Sequence, residues 1–144
     1  MFSSIARSEQ THMDAVKSLL GRYGLEDPAA GNPAGVFSDP VLQALCDELL
    51  ARGRESEIEA LKVGATIEDL DIVDLRERAT DTPDIALVYA DLERGSRNHL
   101  RAFMANLERR GGTYAPSYLT QEDFDEIVSA PNERGAAALS EVRP

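Results

Sequence analysis

Apolar residues recur along this chain at every third or fourth position, the spacing of helix faces, and nowhere alternate long enough to make a strand. Wound as a helix from Phe2 to Tyr23, the first stretch places Ile5, Glu9, His12, Val16, Leu19 and Tyr23 on one face, and Gly24 is positioned to end it. Residues 25–38 (LEDPAAGNPAGVFS) hold two prolines and two glycines and read as a long connection able to cross the end of a bundle. Asp39 with Pro40 pairs an N-cap with proline at the first helical position, so a short helix should run to Arg52 and close at Gly53. A second long helix over 55–79 has the seam Ile58, Leu61, Ala65, Glu68, Ile72, Leu75. Thr82 and Pro83 open a third, reaching Arg110 before Gly111 and Gly112, with the seam Ile85, Val88, Leu92, Gly95 or Ser96, His99, Phe103, Leu107. Thr120 and Asp123 have capping-box spacing for a last short helix to Val128.

The pattern predicts an all-α domain over 1–128. Three long helices form a bundle of near-antiparallel neighbours, joined by a short helix in the crossover region and followed by a short C-terminal one. Residues 129–144 are small and polar and read as a flexible tail. Helical patterning starts at Phe2 with almost no lead-in, as though an upstream element were absent.

Composition narrows the function classes. A chain of 144 residues with 42% hydrophobic content has room for one core. Its net charge of −11 argues against nucleic-acid or anionic-membrane surfaces, which are held by Lys and Arg. No stretch approaches a membrane span and no charged leader with an apolar run opens the chain, so a cytoplasmic location is expected. The single cysteine, Cys46, sits in the apolar run Val41, Leu42, Leu45, Leu49, which excludes an intrachain disulfide and predicts a buried thiol. It lies apart in sequence from both histidines, and no Gly-rich phosphate loop follows a strand, so nucleophilic and nucleotide chemistry lack support.

Chemistry is suggested instead by the residues that interrupt the seams. Glu9 and His12 on the first helix, Glu68 on the second long helix and His99 on the third occupy apolar stripes, where a charge is costly unless paired or bound to a metal. All lie near mid-helix, and midpoints of antiparallel neighbours meet at one level. Glu9 and His12, three apart, can both reach one ion. Two carboxylates and two neutral imidazoles balance a divalent cation, and mixed oxygen and nitrogen ligation suits iron, manganese or zinc. Asp69, Asp71 and Asp74 read as a solvated acidic face, with Asp71, three after Glu68, retained as an additional ligand candidate. Glu93 is a weaker reserve. Against this stands a structural role for each Glu and His, since a buried His–Glu pair satisfies itself by hydrogen bonding.

The runs FSSIARSEQTHMDAVKSLLGRYGLEDP, ALKVGATIEDLDIVDL and GSRNHLRAFMANLERRGGTYAPSYL resemble an uncharacterised group of prokaryotic domains within the ferritin-like superfamily, from Phe2 to about Val128. The resemblance implies a four-helix bundle with a carboxylate-bridged two-metal centre, most often iron, with ferroxidase- or peroxidase-like oxidoreductase activity. Glu9 and His12 then match one Glu-x-x-His, Glu68 a single bridging or terminal Glu, and His99 the second His. Ser96 stands where the second carboxylate would be, and a helix preceding Phe2, which would offer the first Glu, is missing. Four of six expected ligands remain. A single ion, a second chain that supplies the rest, or a relic site are the readings left open. The groove beside the missing helix predicts a homodimer, and a non-enzymatic assembly module with a vestigial site is the competing function.

Overall fold

The computed structural model of the chain describes residues 1–135, and side-chain caps set the start of three of its helices. The helices are α1 (Phe2–Arg22), α2 (Pro40–Gly53), α3 (Glu57–Glu77), α4 (Pro83–Glu108) and α5 (Gln121–Ser129), with no strand among the described residues. The Asp39 side chain accepts from the backbone N–H groups of Val41 and Leu42, and Thr120 accepts from that of Asp123. α3 begins two residues later than the pattern suggests because Ser56 is the cap, accepting from the Glu59 N–H. Thr82 makes no side-chain cap bond, so the start of α4 rests on the fixed φ of Pro83. Past the ends of α1 and α4, Gly24 and Gly111 adopt φ of +64° and +68°, a region other residues rarely enter.

The core forms where α3 and α4 pack face to face. Leu61, Ala65 and Ile72 of α3 meet Leu100, Phe103 and Leu107 of α4, all essentially removed from water. Gly64 lets the backbone approach the Phe103 ring, since a Cβ there would lie 2.2 Å from it. Leu119 and, on α5, Phe124 and Ile127 close the same core. α2 packs on α3 and α1 on α4, while the α1 and α3 backbones stay apart across α4.

α1 is the shallow element. None of its residues is fully buried, and Val16 and Tyr23 of its expected seam are exposed. Phe2 stacks on Phe103 with ring centroids 5.9 Å apart, and Ile5 packs on the core. At the other end, Arg22 and the Tyr23 hydroxyl both donate to Asp84 at 2.9 Å. No helix among the described residues is long and apolar enough to cross a membrane.

Two expectations are corrected. Cys46 is only half-buried, because α2 offers its apolar face to a groove and not to the core. Asp69 is no part of a solvated face: it is wholly buried and accepts hydrogen bonds from the segment after α4. Asp71, the one of the three held open as a ligand candidate, is half-buried, and Asp74, which pairs with Arg78, has the surface role expected of it. Within the stretch that composition leaves as a tail, Glu133 is held by Arg97 and Arg101, and its backbone N–H donates to Asn98. Arg97 beside it, with Arg101, overcomes burial and holds the Glu133 carboxyl down at about 2. Residues 136–144 lie outside the described ones.

Candidate metal centre

Mid-helix positions of α1, α3 and α4 deliver Glu9, Glu68 and His99 to one point, each offering a ligand-type atom within 4.8 Å of the others. His99 Nδ1 lies 2.8 Å from Glu9 Oε1 and 3.4 Å from Glu68 Oε1. Those are ion-pair distances without hydrogen-bond alignment: His99 Nδ1, Glu9 Oε1 and Glu68 Oε2 are all shielded from solvent and lack a hydrogen-bond partner. His12 stands behind Glu9, its Nδ1 hydrogen-bonded to Oε2 at 3.0 Å, with its ring centroid 5.8 Å from that of His99. Buried polar atoms are normally satisfied, and an imidazole nitrogen with carboxylate oxygens from two other helices, each without a hydrogen-bond partner, is a donor set a divalent cation would satisfy. Glu9, Glu68 and His99 therefore fit a metal ion, with His12 adjacent.

The charges are mutually adjusted. Burial pushes the Glu9 carboxyl up, but His12 and His99 together outweigh it and hold the group at about 2. Burial likewise pulls the His99 imidazolium down, and the Glu68 and Glu9 carboxylates raise it to about 9. Glu68, more deeply buried, is pushed up by desolvation despite His99. Asp71, three residues after Glu68 on α3 and outside the Glu9–Glu68–His99 group, is carried to about 7 by burial and by the Glu68 and Glu9 charges. Glu93 is elsewhere, paired with Arg76 and Arg97.

Gly95, an ambiguous seam position in sequence, is a positioning residue. A Cβ at Gly95 would lie 2.6 Å from Cε1 and Nε2 of His12, so the absent side chain is the space the imidazole occupies. Its sequence signal is a glycine inside a long helix, which costs roughly 1 kcal/mol relative to alanine unless something must come close. Gly95→Ala is expected to leave the thermal midpoint near that of the wild type, helix propensity offsetting lost packing. The imidazole 15N spectrum should nevertheless lose the Glu9-bonded Nδ1 signal of His12, and an unchanged signal would show that the ring does not depend on this gap. Ser96 is buried with its hydroxyl beside Glu68, favouring the ionised carboxylate where a second carboxylate would oppose it.

Comparison with known proteins gives the lineage without an activity. An uncharacterised protein of Methanocaldococcus jannaschii, MJ0754, is 51% identical over 137 residues, covering 94% of this chain and 74% of that protein. The crystal structure of the hypothetical protein MJ0754 from Methanococcus jannaschii superposes with a TM-score of 0.89, covering 92% of this chain and 77% of the other. The model of an uncharacterised protein domain, DUF2202, matches residues 1–131, almost the whole described chain. With five helices and a Glu–Glu–His cluster among its described residues, the chain belongs to the DUF2202 family.

Proposed function

We propose that this chain is a cytoplasmic divalent-metal protein of the ferritin-like superfamily, with iron the expected ion and manganese or zinc the alternatives. Glu9, His12, Glu68 and His99 would hold the ion, and Asp71 is the additional carboxylate within reach. The observation that carries the reading is the convergence of three ligand-type atoms from three helices within 4.8 Å, in a cluster whose Glu9 Oε1, Glu68 Oε2 and His99 Nδ1 are shielded from solvent. Bound iron would supply redox chemistry toward oxygen or peroxide, a ferroxidase- or peroxidase-like activity. The protein's part is to offset the charge with the Glu9 and Glu68 carboxylates, to take up and release a proton at His99, and to screen the centre from bulk water. Ser96 in place of a carboxylate favours one ion within a single chain, because two ions on so few anionic ligands would leave excess positive charge in a poorly solvated core. A homodimer is the expected assembly, in which a second copy would supply further ligands.

The test is elemental analysis after anaerobic ferrous loading and desalting, with manganese and zinc loadings beside it. The expected result is about one tightly held ion per chain. Its pH dependence follows from His99, raised from 6.5 to about 9 in the ion-free protein. A metal must displace that proton, so apparent affinity should rise roughly tenfold per pH unit up to about pH 9 and level off above it. An affinity flat from pH 6.5 to 9 would remove His99 from the ligand set.

The second reading is a helical assembly module with a vestigial site. Exposed apolar side chains favour it: Val41 is 75% exposed, Leu25 61% and Met13 59%. A chain that retains no ion and is dimeric by light scattering belongs to this reading.

A further inference from the structure

A groove of about 300 Å³ lies between α2 and α3, walled by Leu45, Cys46, Leu49, Ile67 and Leu70 and closed at its ends by other apolar side chains. That volume is at the lower end of small-ligand sites, about 300–1,000 Å³. Asp71 is the one charged side chain on its wall, and among the described residues nothing hydrogen-bonds or ion-pairs with this half-buried carboxyl. Of the other polar groups at the wall, the Thr66 and Cys46 side chains are committed, while the exposed Tyr118 offers a hydroxyl. The Thr66 hydroxyl donates to the Lys62 carbonyl and accepts from Arg52, and the Cys46 thiol points to the Gly35 carbonyl. Asp71 follows Glu68 by three residues on α3, so the groove carboxyl stands on the side of the helix that carries a cluster residue. An apolar wall with one unpartnered carboxyl calls for an apolar ligand with one polar end. The chain's charge of −11 and the adjacent carboxylates oppose an anionic end.

We propose that the α2–α3 groove binds a medium-chain apolar molecule ending in an uncharged hydrogen-bonding group. Its chain lies along Leu45, Leu49, Ile67 and Leu70, and its polar end sits on Asp71 beside the Glu9–Glu68–His99 cluster. Binding itself needs no ion; the proposal rests on the metal reading only in making that end the part presented to the centre.

Cys46, the sole cysteine and a wall residue, reports occupancy directly. The experiment follows alkylation of Cys46 by iodoacetamide in the metal-free full chain, with 1-octanol or octanoate as probe. Octanol is expected to slow the reaction roughly threefold or more at saturation, and octanoate to leave it unchanged. Ile67→Trp, which fills the groove from an exposed position, should slow alkylation by itself and abolish the octanol effect. Asp71→Ala should raise the half-saturating octanol concentration about tenfold through loss of the polar contact. No protection by octanol, or equal protection by octanoate, overturns the proposal. So does an alkylation rate that falls with rising protein concentration in the absence of octanol, which would put a second copy in the groove. Protection by octanol in a chain that retains no ion would keep the groove and reject the metal centre.

Discussion

Replacing His12 and His99 together with alanine is expected to abolish retention of ferrous ion while leaving the helical circular-dichroism signal intact. Both imidazoles stand at the cluster and outside the apolar core of Leu61, Ile72, Leu100, Phe103 and Leu107, so their loss leaves that apolar packing of α3 on α4 in place. Loss of a residue that merely orients a ligand typically weakens metal binding 10–100-fold, so loss of His99 with its neighbour should exceed ~100-fold. The metal-free double variant should also lose stability near neutral pH. Glu9 is held at about 2 by His12 and His99 against the cost of its burial, and without them the carboxylate keeps that cost uncompensated. By the sign of the linkage, a carboxyl lowered from 4.5 to about 2 contributes stability that is present above pH 4.5 and lost as pH falls through 2. The variant's deficit should therefore be visible at pH 7 and shrink toward pH 2. Metal content equal to that of the wild type would sink the ligand assignment.

Asp69→Ala is expected to be the most destabilising single change in the chain, although Asp69 touches no part of the candidate centre. Its carboxylate is 0% exposed and accepts four hydrogen bonds. The Tyr114 hydroxyl and the backbone N–H groups of Ser117 and Tyr118 donate to Oδ2 at 2.8, 2.6 and 3.1 Å, and the Leu119 N–H donates to Oδ1 at 2.7 Å. One side chain on α3 thereby fixes the turn that sends Leu119 into the core and sets Thr120 as the cap of α5. Alanine leaves three backbone donors without partners at ~1–3 kcal/mol each, about 4 kcal/mol in total after relaxation. For a domain of this size the thermal midpoint should fall by about 15 °C. Asp69→Asn should recover little, because its amide NH2 would face N–H donors. Tyr114→Phe, which removes one bond, should cost about 1 kcal/mol. A midpoint shift below a few degrees for the alanine variant would show that water or a rearranged turn satisfies those amides.

Helix positions were legible along the chain because capping and breaking are local. Asp39–Pro40, Thr82–Pro83, Thr120 and the glycines after α1 and α4 act within a turn of their own residues, and the observed boundaries fall within about two residues of those they predict. The Glu9, Glu68 and His99 convergence was legible too, since face follows from 3.6-residue periodicity and depth from mid-helix position. What each acidic residue meets was not. Asp69 and Asp71 lie two apart on one helix, yet one is locked by four donors contributed from residues 114–119 and the other opens on an apolar groove. Cys46 belongs to an apolar run that faces a groove where a core was expected, and Glu133 is fastened by α4 within a stretch of tail-like composition. The sequence by itself determined the helices and the faces that carry Glu and His, because both follow from contacts within one turn. Only the tertiary structure decided which charges are paired, buried or left without a partner, because that depends on groups brought together across about thirty-five to fifty residues, as with Arg97–Glu133 and Asp69–Leu119, when the segments after α4 fold back onto α3 and α4.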